Sequence, residues 1–381
     1  MENNSETLVN YKGEKFKVYQ YRIENGLAYT LAIPEQFENG VEPILETYNL
    51  SNKMRESYEE NIEDSKKQSP LDRLIEVSDG PIICPVLPNF LGDDAPDYQQ
   101  LARECFTNPQ KGFERIDLQV IDCVRDAKRI IKELTGKDIS EKLFIHGYSA
   151  SGEFAQRFTL IHPELISKCC IGGVAGDIPV PTDELGYPIG ISNFEELFGK
   201  SFDEEGHRSV EYAYYVSEKE AKDDGNYDIN GNIIERDKFG NRTNKTQMPA
   251  PMHDMSYRLK TVPLEVGRKQ REMFGEDLDD RWRNSIKYLK EHGYDISGII
   301  CKNAEHQGIY NNEYNPYFLI LAKKIVDFYK TGKEFEFDEE SCAEHIDMSF
   351  QRQREEQARI ELEIDKQDNP ETIENQEEIQ K

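Results

Sequence analysis

Apolar and polar positions alternate with a period of two over Lys15 to Arg22, Leu27 to Ile33 and Pro43 to Leu50, the rhythm of half-buried strands. Together they predict an antiparallel entry into a sheet. Residues 51 to 78 break the rhythm with Arg55, Glu56, Glu59, Glu60, Glu63, Asp64, Lys66 and Lys67, and predict an exposed helix or loop. Pro81 to Pro88 is apolar almost throughout. Beyond it strand-like runs alternate with helical ones, as parallel βαβ construction requires. Asp117 to Leu134 sets Leu118, Ile121, Val124, Ala127, Ile131 and Leu134 at helical spacing, and Gly136 ends it. Further strands are predicted at Lys142 to His146, Cys169 to Val174, Val210 to Val216 and Ile296 to Cys301, and helices at Phe154 to His162, Val262 to Phe274 and Leu278 to His292. The fold class that follows is α/β, a mostly parallel sheet with helices on both faces.

Two regions depart from the repeat. Residues 224 to 261 are polar, and Asn230-Gly231 and Gly240-Asn241 flank Asn232 to Phe239 as turn signals, so a β-hairpin insertion is expected. The wording around Tyr227 to Asn232 resembles one unit of the tyrosine-aspartate repeats. The last forty residues are charged and poor in aromatics, which predicts a tail that is partly helical and partly disordered. The domain reading is a body over 10 to 338, with 224 to 261 as a lid candidate, and a tail over 339 to 381.

Charge changes the picture of partners. The formal net charge is -27 over 381 residues, and 334 to 381 alone hold 17 acids against 5 bases. A nucleic-acid or anionic-membrane partner is therefore not expected, because such surfaces need clustered Lys and Arg. No run has the roughly 18 apolar residues of a membrane span, and Met1 to Glu6 lacks the features of a signal peptide. A cytoplasmic protein is expected, and the seven cysteines read as reduced core residues. The sequence alone sets no oligomeric state.

The sequence strand, Gly147-Tyr148-Ser149-Ala150-Ser151-Gly152, helix carries the chemistry. A serine hydroxyl becomes a nucleophile when a sharp strand-to-helix turn holds it clear of the backbone and a base takes its proton. Such an elbow also aims a helix N-terminus at the oxyanion of acyl transfer. The base belongs past the last strand, where His306 follows Ile296 to Cys301. The third member, a carboxylate that orients the imidazole, is expected at Glu220, with Asp223 and then Asp177 as alternates. The oxyanion hole is expected from the Ala150 amide with that of Asn89 or Phe90. His146, His162, His207, His253, His292 and His345 are read as structural or solvated. Phe198-Gly199-Lys200-Ser201 lacks the leading glycine of a phosphate loop, and the calcium-like spacing from Asp224 to Glu235 has Ile229 where Gly is needed. With neither a CxxC pair nor an HExxH, no metal and no cofactor is expected.

The run from His146 to Phe158, with His162-Pro163-Glu164 and Tyr187-Pro188-Ile189-Gly190, resembles bacterial α/β-hydrolases related to polyhydroxybutyrate depolymerase-like esterases. The resemblance spans about residues 80 to 310. It implies an α/β-hydrolase fold and a small-molecule acyl substrate. It sets Ser149, Glu220 and His306 in the family's triad positions, and Arg281-Trp282 matches a helix that follows the acid. Two departures stand out: a Glu takes the place of the usual Asp, and the insertion after it is larger. The implied activity is serine hydrolysis of an ester or related acyl bond. The alternatives are a non-catalytic binding protein on the same fold, or a peptidase or acyltransferase with the same triad.

Overall fold

The computed structural model describes residues 6–7, 16–48, 54–66, 78–92, 95–174, 176–217, 262–275, 278–301 and 316–332, with the backbone alone for 6–7 and 316–323. Two compact units are distinguished, one of Met1–His306 with Ala322–Glu336 and one of Gln307–Leu321 with Phe337–Lys381. In the second unit the described residues are 316–321, the start of a helix.

The strands of the first unit are β1 (Glu6–Thr7), β2 (Phe16–Arg22), β3 (Ala28–Pro34), β4 (Ile44–Leu45), β5 (Ile82–Pro85), β6 (Leu143–Tyr148), β7 (Ile166–Gly172), β8 (Glu211–Ser217) and β9 (Ile296–Cys301). They form one sheet in the order β1-β2-β3-β5-β4-β6-β7-β8-β9. β1, β2 and β3 pair antiparallel and β3 meets β5 antiparallel, after which every pairing is parallel. The segment from Pro43 is not part of the antiparallel entry: its ladder is two residues long and lies parallel between β5 and β6. Periodicity gives a strand but not its direction, and a parallel neighbour needs a crossover of about a dozen residues or more. The polar stretch before β5 is that crossover, and it carries helix α1 (Tyr58–Ser65), opened by a Ser57–Glu60 capping box.

The remaining helices are α2 (Glu104–Thr107), α3 (Ile116–Thr135), α4 (Ala150–Ile161), α5 (Phe194–Phe198), α6 (Glu204–Arg208), α7 (Leu264–Phe274), α8 (Leu278–Glu291) and α9 (Pro316–Thr331). In α3 the buried stripe is Ile116, Val120, Ile121, Cys123, Val124, Ala127, Ile130 and Ile131, while Leu118 and Leu134, assigned to the apolar face from spacing, are exposed. Gly136 ends it in the left-handed conformation. Helix α4 is buried on nearly every side, as befits the helix that follows the central strand. β6 is likewise buried on both faces, the expected state of a parallel strand covered by helices above and below. On one face Phe328 and Tyr329 of α9 pack against Phe144; on the other, Thr159 of α4 meets Cys169 and Trp282 of α8 closes over Gly298. Cys84, Cys105, Cys123, Cys169, Cys170 and Cys301 are buried, so the described cysteines are core residues. Among the described residues no helix is long and apolar enough to cross a membrane.

Candidate active site

β6 ends at Tyr148 and α4 begins at Ala150, so Ser149 alone makes the turn. It does so at φ 58° and ψ -122°, a conformation that a residue with a side chain adopts only at an energetic penalty. Local sequence explains how this is held. A Cβ on Gly147 would lie 2.0 Å from the Ser151 carbonyl oxygen, so only glycine lets the turn close. The Ser151 hydroxyl accepts from the Tyr148 amide and donates to the Tyr148 carbonyl, both at 2.9 Å. A Cβ on Gly152 would lie 2.8 Å from the Gly172 oxygen, so the close approach of helix to β7 falls one residue later than a Gly-x-Ser-x-Gly pattern would put it. Ser151 in that pattern's last place is thus a clamp. The Ser149 amide donates to Gly172 O at 2.9 Å and the Glu153 amide to Ser149 O at 2.9 Å. Ala150 is buried at the head of α4, and among the described residues its amide has no acceptor.

The loop after β5 is fixed from behind. Asn89 N–H donates to Asn61 Oδ1 at 3.0 Å, the Arg55 amide to Asn89 O at 2.9 Å, and the Leu91 amide to Arg55 O at 2.9 Å. The Tyr58 hydroxyl donates to Val86 O at 2.7 Å. The Phe90 ring meets Phe113 edge-on at 5.4 Å, and its amide has no acceptor among the described residues. Of the two oxyanion candidates in this loop, Asn89 therefore has its N–H already engaged and Phe90 does not. Sequence reading missed Asn61, because nothing local marks a residue whose role depends on α1 packing beneath a distant loop.

Asp177 is half-buried on the loop after β7, where its carbonyl accepts from Gln156 Nε2 at 2.9 Å. Its charge acts on Glu153 and Arg157, and Arg157 lies 2.9 Å from the Glu153 carboxyl. Burial pushes the Glu153 carboxyl up to about 7 against the pull of Arg157, with Asp177 adding to the rise. Glu220, Asp223 and His306 lie outside the described residues, as does the 224 to 261 insertion. The strands that lead to them are described: Ser217 ends β8 and Cys301 ends β9, paired side by side.

The other described histidines have structural settings. His162 is buried, with Nε2 at 2.8 Å from Asp117 and Nδ1 at 3.2 Å from Glu164. Burial alone would raise the Asp117 carboxyl, but His162 and Arg115 outweigh it and hold the group below the usual carboxylate range. His292 lies at 2.7 Å from Tyr288 O. Gly199 is the left-handed end of α5, which accounts for the glycine of the phosphate-loop-like stretch.

No protein-family model matches the sequence, and no curated protein matches it either. Among solved structures the chain is similar to a poly(3-hydroxybutyrate) depolymerase, LpqC, from Bordetella parapertussis, at 12% identity over 87% of this chain and 93% of that one, with a TM-score of 0.46. It is similar to poly(aspartic acid) hydrolase-1 from Sphingomonas sp. KT-1, at 14% identity over 85% and 98%, TM-score 0.44. It is similar also to carboxyl esterase 2 from the mycorrhizal fungus Tuber melanosporum, at 12% over 84% and 88%, TM-score 0.44. A parallel sheet whose fourth and fifth strands exchange places, entered through antiparallel strands and bearing a strained serine between its central strand and the next helix, is the α/β-hydrolase fold.

Proposed function

We propose that the protein is a serine hydrolase that cleaves an ester or related acyl bond through an acyl-enzyme. The observation that carries this is Ser149 at φ 58° between β6 and α4, strain that a protein retains where a side chain must be presented. Ser149 Oγ attacks the acyl carbonyl and His306 takes its proton, then returns it to the leaving group. Glu220 orients His306, with Asp223 as the second choice. Asp177 ranks last because it already belongs to the Glu153 and Arg157 cluster. The amides of Ala150 and Phe90 receive the oxyanion.

Reach supports these assignments. Neighbouring strands are about 4.8 Å apart, so the ends of β8 and β9 stand roughly 10 and 14 Å from β6. Glu220 is three residues beyond Ser217 and His306 five beyond Cys301, and chain extends up to about 3.5 Å per residue. Residues 224 to 261 follow β8 and on this reading cover the pocket, whereas 178 to 206 run away from it: Phe198 meets Phe106 and Lys200 reaches Glu164, past the end of α4 opposite Ser149. The protein works in the cytoplasm on a small acyl substrate, and the chemistry requires no cofactor.

A fluorophosphonate probe is expected to label the wild type and not Ser149→Ala. An unlabelled wild type, or labelling that survives the substitution, sinks the proposal. A panel of p-nitrophenyl esters against peptide amides then fixes the bond class, and faster amide turnover would turn the assignment to a peptidase.

A further inference from the structure

Three buried polar residues on one face of the sheet are used by none of these steps. Glu46 follows β4, His146 is on β6 and Tyr215 is on β8, with 1%, 3% and 3% of their surfaces exposed. His146 Nδ1 lies 3.2 Å from Glu46 Oε2, and Nε2 lies 3.0 Å from the Tyr215 hydroxyl. Tyr215 reaches His146 by crossing β7 at Gly172, where a Cβ would lie 2.0 Å from the tyrosine ring.

We infer that Glu46, His146 and Tyr215 form a buttress that positions the nucleophile elbow. Tyr215 is the member that touches it. Its ring stacks on that of Tyr148 at 5.9 Å and lies against Gly172, whose carbonyl receives the Ser149 amide. Its own carbonyl accepts from Gly173 N–H at 2.9 Å, and the Tyr148 ring fills the space beside Gly173. The peptides that hold Ser149 in its strained conformation are thus braced by one aromatic ring, and His146 with Glu46 fixes the rotation of that ring. Strained backbone of this kind is costly and persists only where its surroundings over-determine it. Stability by itself does not account for the trio, since packed apolar residues often serve as well or better than buried ionisable ones.

The inference rests on the proposed role of Ser149, and its test separates the two. In the full chain, Tyr215→Phe keeps the ring and removes the hydroxyl, and Glu46→Gln keeps the shape should the first variant not accumulate. Fluorophosphonate labelling of Ser149 is expected to slow about tenfold and ester kcat to fall by the same factor with KM unchanged. Amide exchange across 145 to 153 is expected to quicken about tenfold while that of α8 stays as it was. Wild-type labelling and local exchange in both variants overturn the buttress, as does exchange that rises equally everywhere. If the wild type is not labelled at all, the hydrolase proposal fails, and the exchange measurement alone then upholds or overturns the brace.

Discussion

On one face of β8, Tyr215 crosses a glycine to meet a histidine that is backed by a carboxyl group; on the other, Tyr212 and Tyr214 stand beside His207, where no carboxylate is in contact among the described residues. His207 lies on α6 with Nδ1 at 3.3 Å from the Tyr294 hydroxyl. It borders a cavity of about 10 Å³ that Gln156, Tyr212, Tyr214 and Tyr294 also line, roughly the room of one water. Burial pulls its pKa down to about 3. The same residue types on one strand thus make two different things: a polar brace that touches the elbow, and a neutral imidazole packed among rings. A carboxyl group beside the imidazole is the difference.

The largest break is expected on the brace. In Gly172→Ala the new methyl would overlap the Tyr215 ring, which is held at both ends. Overpacking ordinarily costs about 1–3 kcal/mol and more where neighbours cannot yield. The variant is expected to lose at least that much stability and to label more slowly at Ser149. A melting temperature within a degree of the wild type would show that the ring moves freely and that the brace is no brace.

The second break falls on the other face and is read through pH. A free histidine titrates near 6.5 and His207 near 3, so between these values the unfolded chain binds a proton that the native chain does not. Its contribution is present above pH 6.5 and lost as pH falls toward 3, by roughly 5 kcal/mol at most, at about 1.4 kcal/mol per pKa unit. His207→Phe is expected to flatten this acid limb relative to the wild type. Urea midpoints at pH 7, 6, 5 and 4 check it, and parallel curves for the two proteins would refute it.

How far each cluster could be read from sequence follows from how local its causes are. Gly147, Ser149 and Gly152 are legible because an elbow is made by neighbours in the chain, and the strands β6 to β9 are legible because each is a short apolar run. The direction of β4 depends on a crossover, the Asn61 clamp on a helix packed under a remote loop, and the brace on Gly172 and Tyr215 falling into register across β7 and β8. Such pairings leave no mark in any single segment. His146 reads as structural or solvated, and it is buried; what periodicity cannot supply is that Glu46, a hundred residues earlier, stands beside it.

The smallest effect sharpens the contrast. Tyr294→Phe removes a hydroxyl that His207 meets at 3.3 Å, beyond the usual distance of an N–H···O bond, and a neutral hydrogen bond contributes about 0.5–1.5 kcal/mol net. The loss is expected at the low end of that range, with labelling of Ser149 unchanged, because nothing in this cluster touches the elbow. Tyr215→Phe deletes the same atom from the same kind of ring one face away and is expected to slow labelling about tenfold. Equal labelling rates for the two substitutions would erase the distinction between the faces, whatever their melting temperatures.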